Sequence, residues 1–151
     1  MDKLELKERI LACTSIEQGK KLIELGLDPD TCDMTWHNHG EGMYLAAPTT
    51  VEGWKFSVQG KFLNDTIPGT CIPAWSLTML LKIITDEIAS RKSEKISFCI
   101  CTEMEDGVVM PRAYFYESRK VIAQFNGENY LDVVVESMCS LLEKGYIKKA
   151  Y

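Results

Sequence analysis

Leu6, Ile10 and Cys13 recur at helical spacing near the start of the chain and predict a short opening helix. A second helix is expected from Ser15 to Leu25. Thr14-Ser15-Ile16-Glu17 fits a capping box, in which Thr14 accepts from an early backbone N–H while Glu17 reaches back. Gly26 should end that helix, since glycine enters the left-handed conformation freely, and Pro29 prevents it from resuming. Between residues 31 and 69 the pattern weakens. Met43-Tyr44-Leu45 reads as one short strand, and Trp54, Phe56 and Val58, alternating with Lys55 and Ser57, as another with a single buried face. Pro73-Ala74-Trp75-Ser76 then opens the clearest helix, with Leu77, Leu80, Leu81, Ile84 and Ile88 on one stripe, widened by Met79 and Ile83, as far as Ser90.

Residues 96–125 read as a three-stranded antiparallel meander. Asp106-Gly107 is a strong two-residue hairpin signal, and it sets a register. With Glu105 opposite Val108, Phe98 faces Phe115 and Ile100 faces Ala113 on one side, while Cys99 faces Tyr114 and Cys101 faces Arg112 on the other. A turn at Ser118-Arg119 would place Ile122 beside Phe115 and Val121 beside Tyr116, so that Ala123 and Phe125 fall on the tyrosine side. Pro111 cannot donate to a ladder and should sit at an outward N–H or a bulge. Asn129 caps a last helix whose buried stripe is Leu131, Val134, Val135, Met138 and Leu142, ended by Gly145. The expected architecture is one α+β domain over residues 1–151, a mainly antiparallel sheet packed by about four helices in the order α-α-β-β-α-β-β-β-α.

Composition narrows the function classes. The 151 residues carry 17 basic and 22 acidic side chains, a net charge of −5, with the signs interspersed; nucleic acid and anionic membranes are therefore not expected partners. The apolar stretch Leu77–Ile84 is too short to cross a bilayer, and the charged N-terminus does not resemble an export signal, so a cytoplasmic location is expected. Six cysteines in such a compartment are expected to remain thiols.

His37-Asn38-His39 is the one histidine cluster. In an extended segment both imidazoles would point to one side, where Cys32 or Asp33 could join them around a metal, giving a metal-dependent hydrolase as one reading, with His37, His39 and Cys32 as its ligands; no fixed fourth ligand can be named, and surface histidines are the plainer alternative. Asp28-Pro29-Asp30 with Asp33 lacks the glycine and glutamate of a calcium loop, and there is no P-loop, dinucleotide fingerprint or G-x-S-x-G. No cofactor is implied.

Both faces of the meander are semi-apolar, and one helix layer covers only one of them. Either other parts of the chain lie over the second face or a partner does, with Trp36, Trp54, Arg112, Tyr114 and Tyr116 as candidate anchors for a protein or another copy. A second reading is a small-ligand pocket lined by Trp36, Tyr44, Trp54 and Trp75, with His37 as the polar group.

Three stretches, S-I-E-Q-G-K-K-L-I-E-L-G-L-D-P from Ser15 to Pro29, I-P-A-W-S-L-T-M-L-L-K-I-I from Ile72 to Ile84 and Y-L-D-V-V-V-E-S-M-C-S-L-L-E-K-G-Y-I from Tyr130 to Ile147, resemble small proteins encoded by phages and prophages of gut bacteria of the Bacteroides group. The Pro-Ala-Trp-Ser-Leu piece carries most of that resemblance. It implies a mobile-element origin and action in the host cytoplasm, with no activity attached. The expectation from residues and resemblance together is a non-enzymatic accessory protein that binds a protein, possibly itself.

Overall fold

The computed structural model describes residues 13–38, 44–48, 71–91 and 93–150. The expected opening helix at Leu6 and Ile10, the expected strand at Trp54–Val58 and His39 lie outside them. Within them the protein is α+β, with helices α1 (Ile16–Glu24), α2 (Leu77–Ser90) and α3 (Tyr130–Glu143) and strands β1 (Met34–Asn38), β2 (Tyr44–Pro48), β3 (Cys71–Ala74), β4 (Ile96–Glu105), β5 (Val108–Glu117) and β6 (Lys120–Asn126). The described order is α-β-β-β-α-β-β-β-α; β2 overlaps the expected strand at Tyr44 and Leu45, while β1 and β3 are strands the sequence pattern does not single out. No helix among the described residues is long and apolar enough to cross a membrane.

Two antiparallel sheets form, in the strand orders β2-β1-β3 and β4-β5-β6. The second is the expected meander, with Glu105 opposite Val108, Phe98 opposite Phe115, Ile100 opposite Ala113, Cys99 opposite Tyr114 and Cys101 opposite Arg112. Asp106 (φ 52°) and Gly107 (φ 77°) both take the left-handed conformation that a tight hairpin of this twist requires. Ser118 and Arg119 do so as well, at φ 50° and 68°, and make a second two-residue turn without a glycine.

The expected register of β6 fails in its middle. Val121 does stand opposite Tyr116, but a bulge follows and Ala123, not Ile122, meets Phe115. An extra residue in one strand reverses which side chains point inward beyond it. Ala123 and Phe125 therefore join Phe98, Ile100 and Phe115 against the core, and Ile122 is left 40% exposed. Pro111 lies opposite Thr102, one residue beyond the last β6 rung at Arg112–Asn126.

Two helix starts also differ from expectation. Ser15, not Thr14, caps α1, accepting from the Gln18 N–H (3.1 Å) while the Gln18 side chain accepts from the Ser15 N–H (2.9 Å). Both registers fit the capping pattern, but Thr14 is taken up by a tertiary contact. Its N–H donates to the Trp75 carbonyl (2.9 Å), and its hydroxyl accepts from the Trp75 N–H (3.1 Å). Pro73 and Ala74 do not open α2; they belong to β3, opposite Thr35 and Met34. The helix begins after Ser76, whose N–H donates to Asp33 Oδ1 (2.8 Å) and whose hydroxyl bonds Asp33 Oδ2, while Ser76 Oγ accepts from the Met79 N–H (3.1 Å). A carboxylate at a helix N-terminus also meets the positive end of the dipole.

One hydrophobic cluster joins the elements. Leu22 of α1, Trp75, Leu80 and Ile84 of α2, Phe115 of β5, and Leu131, Val134, Val135, Met138 and Leu142 of α3 are buried together. The helices thus lie on one face of the meander. Gly26 at φ 102° ends α1, and its carbonyl accepts from the Ala150 N–H (2.8 Å), which brings the C-terminal segment back to the first helix.

Candidate functional site

The outer face of the meander, away from the helices, carries a polar and aromatic cluster. Alternation along β4 and β5 places Cys99, Cys101, Glu103 and Glu105 beside Arg112, Tyr114 and Tyr116 on that face. Arg112 Nη1 donates to Glu103 Oε2 at 2.6 Å, and its Nη2 bonds Glu105. The Tyr114 hydroxyl donates to the other oxygen of Glu103. Arg112 is only 16% exposed, against 36% for Glu103 and 60% for Glu105, so the cation is better shielded from water than the carboxylates that pair with it. Its Nε is buried without a hydrogen-bond partner.

Tyr114 and Tyr116 are tilted neighbours, with ring centroids 6.2 Å apart at 40°. Cys101 Sγ lies 3.8 Å from Glu103 Oε1, and Cys99 Sγ lies 4.0 Å from the Tyr116 hydroxyl. These contacts set the electrostatics. The Tyr114 hydroxyl, with Arg112 behind it, holds the Glu103 carboxyl below the usual carboxylate range, and Glu103 in turn pushes the Tyr114 phenol up. Burial and then Glu103 raise the Cys101 thiol, the opposite of what a nucleophilic thiolate needs. The bond to Cys99 raises the Tyr116 phenol. The cluster is thus a network of held protons and a neutralised cation.

The structure brings together three of the candidate residues, Arg112, Tyr114 and Tyr116, on this face; Trp36, His37 and Tyr44 belong to the other sheet. Trp36 belongs to β1, where its indole N–H donates to the Thr14 carbonyl at 2.9 Å. Trp75 is fully buried, and its indole N–H donates to Thr31 Oγ1 at 3.0 Å. Both described indoles therefore use their polar atoms to join segments of the fold. Tyr44 opens β2 opposite Asn38, two residues along β1 from Trp36, and Trp54 lies outside the described residues. Cys32 follows a 3-10 turn at Pro29–Thr31, and burial pushes its thiol up to about 11, with Asp33 adding to the shift. His37 stands near the far end of β1, opposite Leu45 and Cys71. Among the described residues no group of three His, Cys, Asp or Glu side chains is arranged to hold a metal ion.

Glu103 and Glu105 were not singled out from the sequence. The signal was present in the hairpin register, because Arg112 opposite Cys101 has Glu103 as its diagonal neighbour on the same face. Fold and site together define a class of α+β protein whose meander is covered by helices on one side and presents an ordered aromatic and ionic surface on the other. Comparison with known proteins adds no relative: no family model, no curated protein and no solved structure matches the chain.

Proposed function

We propose that the chain is a non-enzymatic protein-binding module, of phage or prophage accessory type, that engages its partner through the outer face and tip of the meander. One observation carries this reading. Among the described residues, the large hydrophobic side chains left exposed are Met104 (74%), Val108 (57%), Val109 (56%), Val121 (53%), Ile122 (40%) and Tyr130 (38%). All but Tyr130 belong to the meander, and Tyr130 bonds Thr102 of β4. Apolar exposure gathered on one element, with Val108, Val121 and Ile122 on the side of the tilted tyrosines and the mostly buried Arg112 and with Met104 and Val109 at the tip, has the composition of a binding patch rather than of scattered surface. Tyrosine and arginine are also the side chains that most often dominate binding energy.

The test is capture of a host-cell protein on the immobilised chain, compared with Tyr114→Ala and Tyr116→Ala. Either substitution should reduce capture at least about tenfold, the effect of losing one anchor worth roughly 1.4 kcal/mol or more, with the fold retained by circular dichroism. Capture that is equal on the wild-type and both variants rules out this face as the binding surface.

A further inference from the structure

We propose that β6 is a self-pairing edge through which two copies of the chain join their meanders into one six-stranded antiparallel sheet. The inference concerns the edge of the sheet and does not depend on what the tyrosine face binds. Among the described residues β6 pairs with β5 alone, and no other backbone hydrogen bond reaches it. An edge discourages pairing with charge, proline or a bulge. β6 carries Lys120 and the bulge at its start only, and charge and proline are absent from Val121 to Asn126.

Charge identifies the occupant as a second copy running antiparallel. The exposed residues Arg119 and Lys120 stand at the start of the strand, and the exposed Glu128 stands just past its end. A cleft of about 540 Å³ lies beside the C-terminal half of β6, bordered by Gln18 and by the carboxylates of Glu128, Asp132 and Glu136. A strand with cations at one end and carboxylates at the other is complementary to its own reverse, and a two-fold axis repeats the match twice.

The bulge selects the register. Val121 shares the outer face with Tyr116, whereas Ala123 and Phe125 face the core, so strict alternation holds only from Ile122 to Asn126. The pairing that matches all five of these residues face to face is centred on Gln124, with Ala123 opposite Phe125 of the second copy and Ile122 opposite Asn126. That register also sets Lys120 opposite Glu128 of the second copy. The tyrosine faces of both copies then form one continuous surface.

A ladder this short makes a weak dimer, so sedimentation velocity on the full chain, from about 1 to 500 μM, should show a concentration-dependent monomer–dimer equilibrium. Lys120→Glu or Glu128→Lys alone should weaken it about tenfold, because each breaks two symmetric ion pairs, and the double exchange should restore it. Residues facing each other across the axis come within disulfide reach. With Cys99→Ser removing the exposed thiol, Gln124→Cys should cross-link to itself under oxidised glutathione at least about tenfold faster than Lys120→Cys does. A monomer at every concentration, a double exchange that fails to restore association, or equal cross-linking at both positions overturns the proposal. None of these outcomes alters the test with Tyr114→Ala and Tyr116→Ala, whose side chains lie on the face and not on the edge.

Discussion

Glu103 is the residue on which the outer face turns, since Arg112, Tyr114 and Cys101 all contact its carboxylate. Its carboxyl is held below the ordinary value, first by the tyrosine hydroxyl. A depressed carboxylate stabilises the fold fully above the unfolded value of about 4.3 and loses that contribution as pH falls through the lower folded value. The stability gap between the wild-type and Glu103→Gln should therefore hold constant at neutral pH and close on acidification below about pH 4, as read by thermal melts across pH. The raised Tyr114 phenol behaves in the other sense: its contribution is present below the ordinary value of about 10 and is lost as pH rises through the folded value. Absorbance titration should show the Tyr114 midpoint falling back toward the ordinary value in Glu103→Gln.

At the scale of elements, α1 lies tightly against β3 at Gly19. A Cβ added at Gly19 would sit 2.5 Å from the Pro73 carbonyl oxygen. In an open helix Gly→Ala stabilises by up to about 1 kcal/mol, but here the added methyl meets rigid backbone. Gly19→Ala should instead cost about 1–3 kcal/mol in urea unfolding, and a stabilised variant would show that α1 can move off the strand. The same pair of elements shows where reading the sequence stops. The meander was legible down to individual cross-strand pairs because Asp106-Gly107 permits few turn geometries, and with it the placing of Arg112, Tyr114 and Tyr116 on one face. The bulge in β6 was not legible, since no glycine or proline marks it and its effect shows only in which of Ile122 and Ala123 is buried. Pro73 has the local chemistry of a helix start. It became a strand residue through pairing with Thr35, far away in sequence, and through Asp33, which completes the cap at Ser76 from outside the helix. Local rules do not see such partners.

On the scale of the whole molecule, a single cluster ties α1, α2, α3 and the meander together around the fully buried Met138. Met138→Ala opens a cavity within that cluster and should cost about 2–5 kcal/mol. Because the cluster is shared, tryptophan fluorescence and far-ultraviolet circular dichroism should still give coincident transitions; separation of the two would show that the meander and the amino-terminal elements unfold independently.

The reciprocal bonds between Thr14 and Trp75 reach across 61 positions of the chain. Closing so long a loop carries an entropic cost that the two-residue corners of the ribbon avoid, and contacts distant in sequence form slowly. The two halves of the molecule therefore differ in the cost of their closure: the corners of the ribbon each span two residues, whereas the amino-terminal end is fastened to the end of β3 across a loop of about 60.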